Sequence, residues 1–533
     1  MGRYLNPSNV GFQKALNSPI YIDKTGMIEK LNQVIGTNEP MVCVSRPRRF
    51  GKSMAVNMLT AYYSRGCDSK DLFSGYEISR TADFKVYLNQ YDVIRMDMQL
   101  MMGEAFEMEG QQSGKTLFRY IRDEIVSELK RSYPECEVMN MPLAKALWNV
   151  HEATGTQFII LIDEWDCLFR NYKNDQKLQK EYIDFLRGIF KGIVAEECIA
   201  LAYITGILPI KKYGTESALN NFKEYTMIAP DYLAEYVGFT EKEVEMLCGR
   251  FEMDFEETRK WYDGYYFKEA GHIYSPRSVV EAMKRKTIGS YWTSTETYES
   301  LKNYITMDFD GLKEAIARLV AGESYPINTL RFQNDMISMS SKDDVLSLLI
   351  HLGYLGYEEK GKAVFIPNEE VKTEFCTAIE DTTWTELIRT LTDSHKLLEK
   401  TWAADETAVA EILERVHEEN VSILNYNDEN ALSFIVSLAY ISARKDYVIV
   451  RELPGGKGFA DIVFIPRKQT DKPAMVVELK WDKTVDTAIT QIKEKRYVHA
   501  LKGYVGTVLL VGINYNKESK MHQCKIEEYQ KGR

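Results

Sequence analysis

Three stretches of the chain are apolar without alternation: Met41-Val42-Cys43-Val44-Ser45, Phe158-Ile159-Ile160-Leu161-Ile162, and Ile199 to Ile204. Unbroken apolar runs of this length, bounded by polar residues, predict strands buried on both faces, as in a parallel sheet. The first run leads into Arg46-Pro47-Arg48-Arg49-Phe50-Gly51-Lys52-Ser53 and then a helical pattern through Tyr63. Near the C-terminus, Phe459 to Ile465 and Met475 to Trp481 read as neighbouring strands joined by the Pro466 to Pro473 connection, with a later strand from Thr507 to Gly512. Helical periods run from Ala408 to Val416, from Tyr426 onward and from Ala488 to Tyr497. In the middle, Thr240-Glu241-Lys242-Glu243 predicts a capping box opening a helix, so the first sheet gives way near Tyr236 to mainly helical structure. Gly353-Tyr354-Leu355 and Val364 to Asn368 read as short strands of a winged-helix-like or lid module, and Trp261-Tyr262-Asp263-Gly264-Tyr265-Tyr266-Phe267 is an aromatic cluster expected to pack between domains rather than stack bases.

The fold class this predicts is α/β, with divisions at 1–235, 236–400 and 401–533. At 533 residues, 45% of them hydrophobic and 12% aromatic, the chain has ample core for two to four domains and is not disordered. A net charge of -11 opposes broad nucleic-acid binding. Locally the balance differs: Lys480, Lys483, Lys493, Lys495, Arg496 and Lys502 form a basic segment, while acids gather between Asp405 and Glu429. Eight cysteines without a CxxC pair read as reduced core thiols, and His522-Gln523-Cys524 offers too few ligands for a metal. No run reaches the roughly 18 apolar residues of a membrane span, and the first residues lack an apolar signal core. A cytoplasmic protein without membrane attachment is expected.

Strand, loop, Lys-Ser and helix are the order of a phosphate-binding loop. Backbone N–H groups of the loop and helix start would hold β-phosphate oxygens, Lys52 would reach the β/γ-phosphates, and the Ser53 hydroxyl would ligate Mg2+. The first glycine of the usual pattern is replaced by Arg46. Asp163, ending the second apolar run, would hold Mg2+ through water, Glu164 would polarise the attacking water, and Thr205, ending the third, would sense the γ-phosphate. Arg48, Arg49, Lys211 and Lys212 are either phosphate contacts or ordinary surface charge. Gly110-Gln111-Gln112-Ser113-Gly114-Lys115-Thr116 imitates a phosphate loop, but it is one residue short and follows no strand. It reads as a polar loop entering a helix at Leu117.

These residues resemble the AAA-ATPase-like family over residues 1 to 230, through Tyr21-Ile22-Asp23-Lys24-Thr25, the string from Arg46 to Ser53, Ile162-Asp163-Glu164-Trp165-Asp166 and Thr205-Gly206-Ile207-Leu208-Pro209. The resemblance makes Arg46 a family feature, includes Arg48, Arg49, Phe50 and Gly51 in the nucleotide loop, and implies ATP as ligand.

A second centre is written into the C-terminal strands. Alternate side chains of a strand share a face, so Glu478 and Lys480 point the same way, and Asp461 can lie beside Glu478 if the two strands pair. Two carboxylates at one point suit Mg2+ or Mn2+; Lys480 would orient water or stabilise a phosphorane oxyanion. This segment resembles the PD-(D/E)XK nuclease superfamily, and most closely its C-terminal domains fused to AAA-ATPase-like ones. The resemblance further implies that Gln491 and Tyr497 flank the substrate, as in RecB-like members, and that Glu429 is the first-helix acid. Together these readings imply an ATPase-nuclease acting on DNA ahead of RNA, with homo-oligomerisation open. The alternative is a nucleotide-driven switch or scaffold whose nuclease fold does not cut.

Overall fold

The structure, a computed structural model, describes residues 2–109, 114–213, 216–292, 297–307, 309–333, 339–380, 385–420, 429–455, 458–466, 472–497, 501, 504 and 506–529. The chain forms two compact units: Met1–Thr295 with Pro326–Val371, and Glu296–Tyr325 with Lys372–Arg533.

The first unit is built on strands β1 (Met41–Ser45), β2 (Asp92–Asp97), β3 (Phe158–Asp163), β4 (Ile199–Gly206) and β5 (Lys223–Tyr225), ordered β2-β3-β4-β1-β5 and parallel throughout. β1, β3 and β4 are buried at every position, which is why their sequences are unbroken apolar runs. β2 and β5, the two edges, carry charged residues and were not evident from the pattern. Helix α1 (Lys52–Tyr63) follows β1, completing a P-loop NTPase core. The imitation loop precedes a helix that starts at Gly114, earlier than Leu117, and it follows the helix Met98–Glu109 rather than a strand. Residues 110–113 lie outside the described ones.

Beyond the sheet come β6 (Phe239–Thr240), α2 (Glu241–Phe251), α3 (Phe255–Tyr262), β7 (Tyr265–Phe267) and β8 (Gly271–Tyr274), the strands forming an antiparallel sheet β6-β8-β7. The capping box is present, Thr240 and Glu243 each accepting the other's backbone N–H. Helix α4 (Lys342–Leu352) leads into a hairpin of β9 (Gly356–Glu358) and β10 (Ala363–Phe365), a helix followed by a wing. β10 overlaps the second expected strand, but Gly353 to Leu355, expected as the first, forms the turn that ends α4, with Gly353 at φ 87° as its cap, and β9 begins just after it.

The second unit contains α5 (Thr385–Trp402), α6 (Glu406–Asn420), α7 (Glu429–Ala439), β11 (Tyr447–Gly455), β12 (Gly458–Pro466), β13 (Ala474–Trp481), α8 (Val485–Lys495), β14 (Val508–Asn516) and β15 (Met521–Tyr529). The strands lie in chain order; only β13 and β14 pair in parallel, with α8 as their crossover. One face of the sheet, through Val463, Ala474 and Val476, packs against Ile489 and Ile492 of α8. Gly512 permits this: a Cβ there would stand 2.9 Å from the Val485 carbonyl oxygen and 3.0 Å from the Ala488 Cβ. Cys43, Cys136, Cys167, Cys198, Cys248 and Cys524 are buried free thiols. Among the described residues no helix is long and apolar enough to cross a membrane.

Candidate functional site

In the first unit, strand register aligns the chemistry. Asp97 pairs with Asp163, Asp163 with Thr205, and Thr205 with Val44, so these positions form one row at the carboxyl ends of parallel strands. Open α/β sheets bind ligands at that edge. Gly51, at φ 94°, makes the left-handed turn that lets α1 begin at Lys52. The Lys52 amine, buried, donates to the Pro47 carbonyl oxygen at 2.9 Å. Burial lowers its pKa, against the attraction of Glu164, Asp166 and Asp163. Burial likewise raises the pKa of Asp163, which the Ser53 hydroxyl bond partly offsets. The lysine, serine and aspartate are therefore brought together.

Other residues of the row are placed differently from a simple reading. Thr205 Oγ1 donates to the Val44 carbonyl oxygen at 2.8 Å, so its hydroxyl is engaged within the sheet. Glu164 takes a positive φ of 54° and accepts from Arg170 Nη2, while Arg170 Nε stands 3.1 Å from Asp166 Oδ2. Asp166, fully buried, also accepts the backbone N–H groups of Ile207 and Leu208 at 3.1 and 2.8 Å. Sequence reasoning missed Arg170 altogether; its spacing of four from Asp166 on the helix Cys167–Asn171 was the available signal.

The arginines of the loop have distinct tasks. Arg46 is fully buried: Nη1 donates to the carbonyl oxygens of Ser45 and Tyr225 at 2.9 and 3.0 Å, its guanidinium lies over the Phe267 ring, and burial lowers its pKa to about 10. These bonds tie the start of the loop to the ends of β1 and β5. Arg49, at φ 71°, donates to the Tyr291 carbonyl oxygen at 2.9 Å. Arg48 is partly exposed. Phe50 is buried edge-on against Tyr265, 5.5 Å between centroids, so the aromatic cluster braces the phosphate loop.

In the second unit, β12 and β13 pair as Ile462 with Val477 and Val463 with Val476. One further step of that register sets Asp461 opposite Glu478, and Asp461 Oδ2 accepts the Leu479 backbone N–H at 2.7 Å. Glu478 is 1% exposed. Its Oε1 accepts from the Lys480 amine at 2.7 Å and from Gln491 Nε2, which also donates to the Tyr497 hydroxyl at 3.2 Å. Gly458 leaves room for that hydroxyl, since a Cβ there would lie 3.1 Å from it. Five of the expected residues, Asp461, Glu478, Lys480, Gln491 and Tyr497, thus belong to one cluster. Glu429 starts α7, and its side chain lies outside the described residues.

Burial, with the charge of Asp461, raises the Glu478 pKa to about 7 despite the bond from Lys480. Its Oε2 is buried without a hydrogen-bond partner. A buried carboxylate oxygen left unpaired is costly, and a divalent cation held by it and Asp461 would relieve that cost. The residues present therefore fit Mg2+ or Mn2+.

Comparison with known proteins follows the same division. Residues 12–215 match the AAA-ATPase-like family model, described as a predicted AAA-ATPase, and residues 428–525 match a model of the PD-(D/E)XK nuclease superfamily. An uncharacterized protein from the vnfD 5' region of Azotobacter chroococcum mcd 1 is 23% identical over 290 residues, 54% of this chain. The match spans about half, 52%, of that relative's length. A solved structure of the Aeropyrum pernix ORC2 protein in ADPNP-ADP complexes aligns over 70% of this chain and 98% of its own, with 11% identity and a TM-score of 0.26.

Proposed function

We propose that this chain, which carries an AAA-ATPase-like domain and a PD-(D/E)XK nuclease superfamily domain, hydrolyses ATP in the first and cleaves nucleic acid, DNA ahead of RNA, in the second. The observation that carries the reading is the Glu478 carboxylate, buried with one oxygen unpaired and the other held by Lys480 and Gln491.

Asp461 and Glu478 would hold Mg2+ or Mn2+, which supplies a water of lowered pKa and neutralises charge on the scissile phosphate. Lys480, fixed by Glu478, orients the attacking water and stabilises the oxyanion. Gln491 holds the Glu478 carboxylate in place, and the Tyr497 hydroxyl, accepting from Gln491, supports it; Glu429 completes the set as the first-helix acid. In the first domain Lys52 binds the β/γ-phosphates, Ser53 and Asp163 hold the ATP-bound Mg2+, and Glu164 activates water once released from Arg170. Phe50 and Gly51 shape the loop, Arg48 and Arg49 flank the phosphates, and Thr205 holds β1 to β4 beneath them. The functional division is 1–235 for nucleotide, 236–400 as lid and linker, and 401–533 for cleavage.

The test is ATPase and nuclease assays on one preparation, with single- and double-stranded DNA and RNA, with and without ATP, in Mg2+ or Mn2+. Lys480→Ala should abolish cleavage and Lys52→Ala should abolish ATP hydrolysis. Equal cutting by wild type and Lys480→Ala would sink the assignment. The pairing of Glu164 with Arg170 favours a second reading, a nucleotide-driven switch that binds without cutting. ATP-dependent oligomerisation without cleavage under any of these conditions would select it.

A further inference from the structure

Away from both centres, Glu241, Asp263 and His272 each turn one donor atom to a common point, all within 4.8 Å of one another. Three elements deliver them. Glu241 is the first residue of α2, Asp263 follows the last residue of α3, and His272 lies in β8. Pairing of Thr240 with Ile273, continued by one residue, places Glu241 opposite His272.

The polar atoms here are poorly satisfied. Asp263, 8% exposed, leaves Oδ1 without a hydrogen-bond partner, as do Glu241 at Oε1 and His272 at Nδ1. His272 Nδ1 is 2.8 Å from Asp263 Oδ2, close enough to pair with it when the imidazole is protonated. Tyr274, fully buried beside these acids, also has an unpartnered hydroxyl. The nearby cation is Arg259, whose Nε stands 3.6 Å from both Glu241 Oε1 and Asp263 Oδ2, too far for a bidentate fork. Its side chain is 41% exposed and can turn to water. Tyr266 packs edge-on against the His272 ring, 5.4 Å between centroids, and limits its rotation.

We propose that Glu241, Asp263 and His272 bind a divalent transition-metal ion of the Zn2+ class, displacing Arg259 from between the carboxylates. One imidazole and two carboxylates form a mixed N/O donor set that suits Zn2+, with a fourth position for water, better than Mg2+, which takes oxygen ligands and keeps its waters. The ion clips the start of α2, the end of α3 and the β7–β8 hairpin together. Tyr265 and Phe267 of that hairpin pack on Phe50 and Arg46, so the clip stiffens the support of the phosphate loop.

The experiment uses the full chain, stripped with chelator, dialysed against micromolar Zn2+ and analysed by atomic emission and calorimetric titration. Wild type should retain one more ion per chain than either His272→Asn or Glu241→Gln, so ions at the other two centres cancel in the difference. Arg259→Gln, by removing the competing charge, should tighten Zn2+ by roughly tenfold. Tenfold excess Mg2+ should not displace the ion. Equal ion counts in wild type and both ligand variants, weaker Zn2+ binding by Arg259→Gln, or ready displacement by Mg2+ would each overturn the site. Circular dichroism guards against misfolding of His272→Asn; if it melts, Glu241→Gln, altered at a partly exposed helix start, carries the comparison alone.

Discussion

Glu478 offers the most direct handle on the C-terminal centre, because its pKa of about 7 ties metal binding to pH. A carboxylate must be ionised to ligate. With that pKa, roughly 90% is ionised at pH 8 and roughly 10% at pH 6. Mn2+ affinity should therefore fall about tenfold between pH 8 and pH 6, and binding at pH 7 should release about half a proton. An ordinary carboxylate would show neither effect. Titration of Mn2+ into the full chain at each pH, repeated in buffers of different ionisation enthalpy, measures both; subtracting the Glu478→Gln isotherm removes ions bound elsewhere. The same shift acts on stability. A carboxyl group with a raised folded-state pKa adds stability that is complete below its unfolded pKa near 4.5 and is lost as pH rises through 7. In metal-free protein that loss is about 3 kcal/mol at 1.36 kcal/mol per unit, and Glu478→Gln should lack this part of the slope in urea unfolding. A Mn2+ affinity unchanged between pH 6 and pH 8 would refute the reasoning.

Other consequences are open to simple measurement. Lys52→Ala should weaken ATP binding by more than about tenfold in equilibrium dialysis, since the buried amine faces Asp163 and Glu164 at the head of α1. Gly512→Val should lower stability by about 1–3 kcal/mol, seen as a drop in melting temperature, because the new side chain meets the Val485 carbonyl oxygen and Ala488. Thr240→Ala should cost about 0.5–2 kcal/mol in the same assay through loss of the capping box.

What was legible in the sequence was what burial on both sides makes uniform. β1, β3 and β4 announced themselves as apolar runs; the loop after β1 led to Ser53, and the ends of β3 and β4 supplied Asp163 and Thr205. The edges were harder. β2 contains Asp92, Arg95 and Asp97, and β5 contains Lys223 and Glu224, since an edge strand tolerates charge where a central one does not. β15 buries His522, Cys524 and Ile526 at alternate positions, a period-two signal obscured by a histidine on the inner face. At the C-terminal centre, pleat alone placed Glu478 with Lys480, and the β12–β13 register added Asp461. Contacts that depend on a turn were beyond reach: the hold of Arg170 on Glu164 needs the positive φ at Glu164, and the engagement of Thr205 with Val44 is set by the neighbouring strand.

Arg46 carries a consequence for how the chain acquires nucleotide affinity. Its guanidinium reaches forward in the sequence to Tyr225 and Phe267, some 180 to 220 residues away. The phosphate cradle cannot set until ribosomal synthesis has passed the hairpin. A polypeptide truncated at residue 235 would keep Lys52, Ser53, Asp163 and Glu164 but leave the cradle slack, so a pulse-labelled nascent chain should gain ATP retention only after Phe267 has emerged.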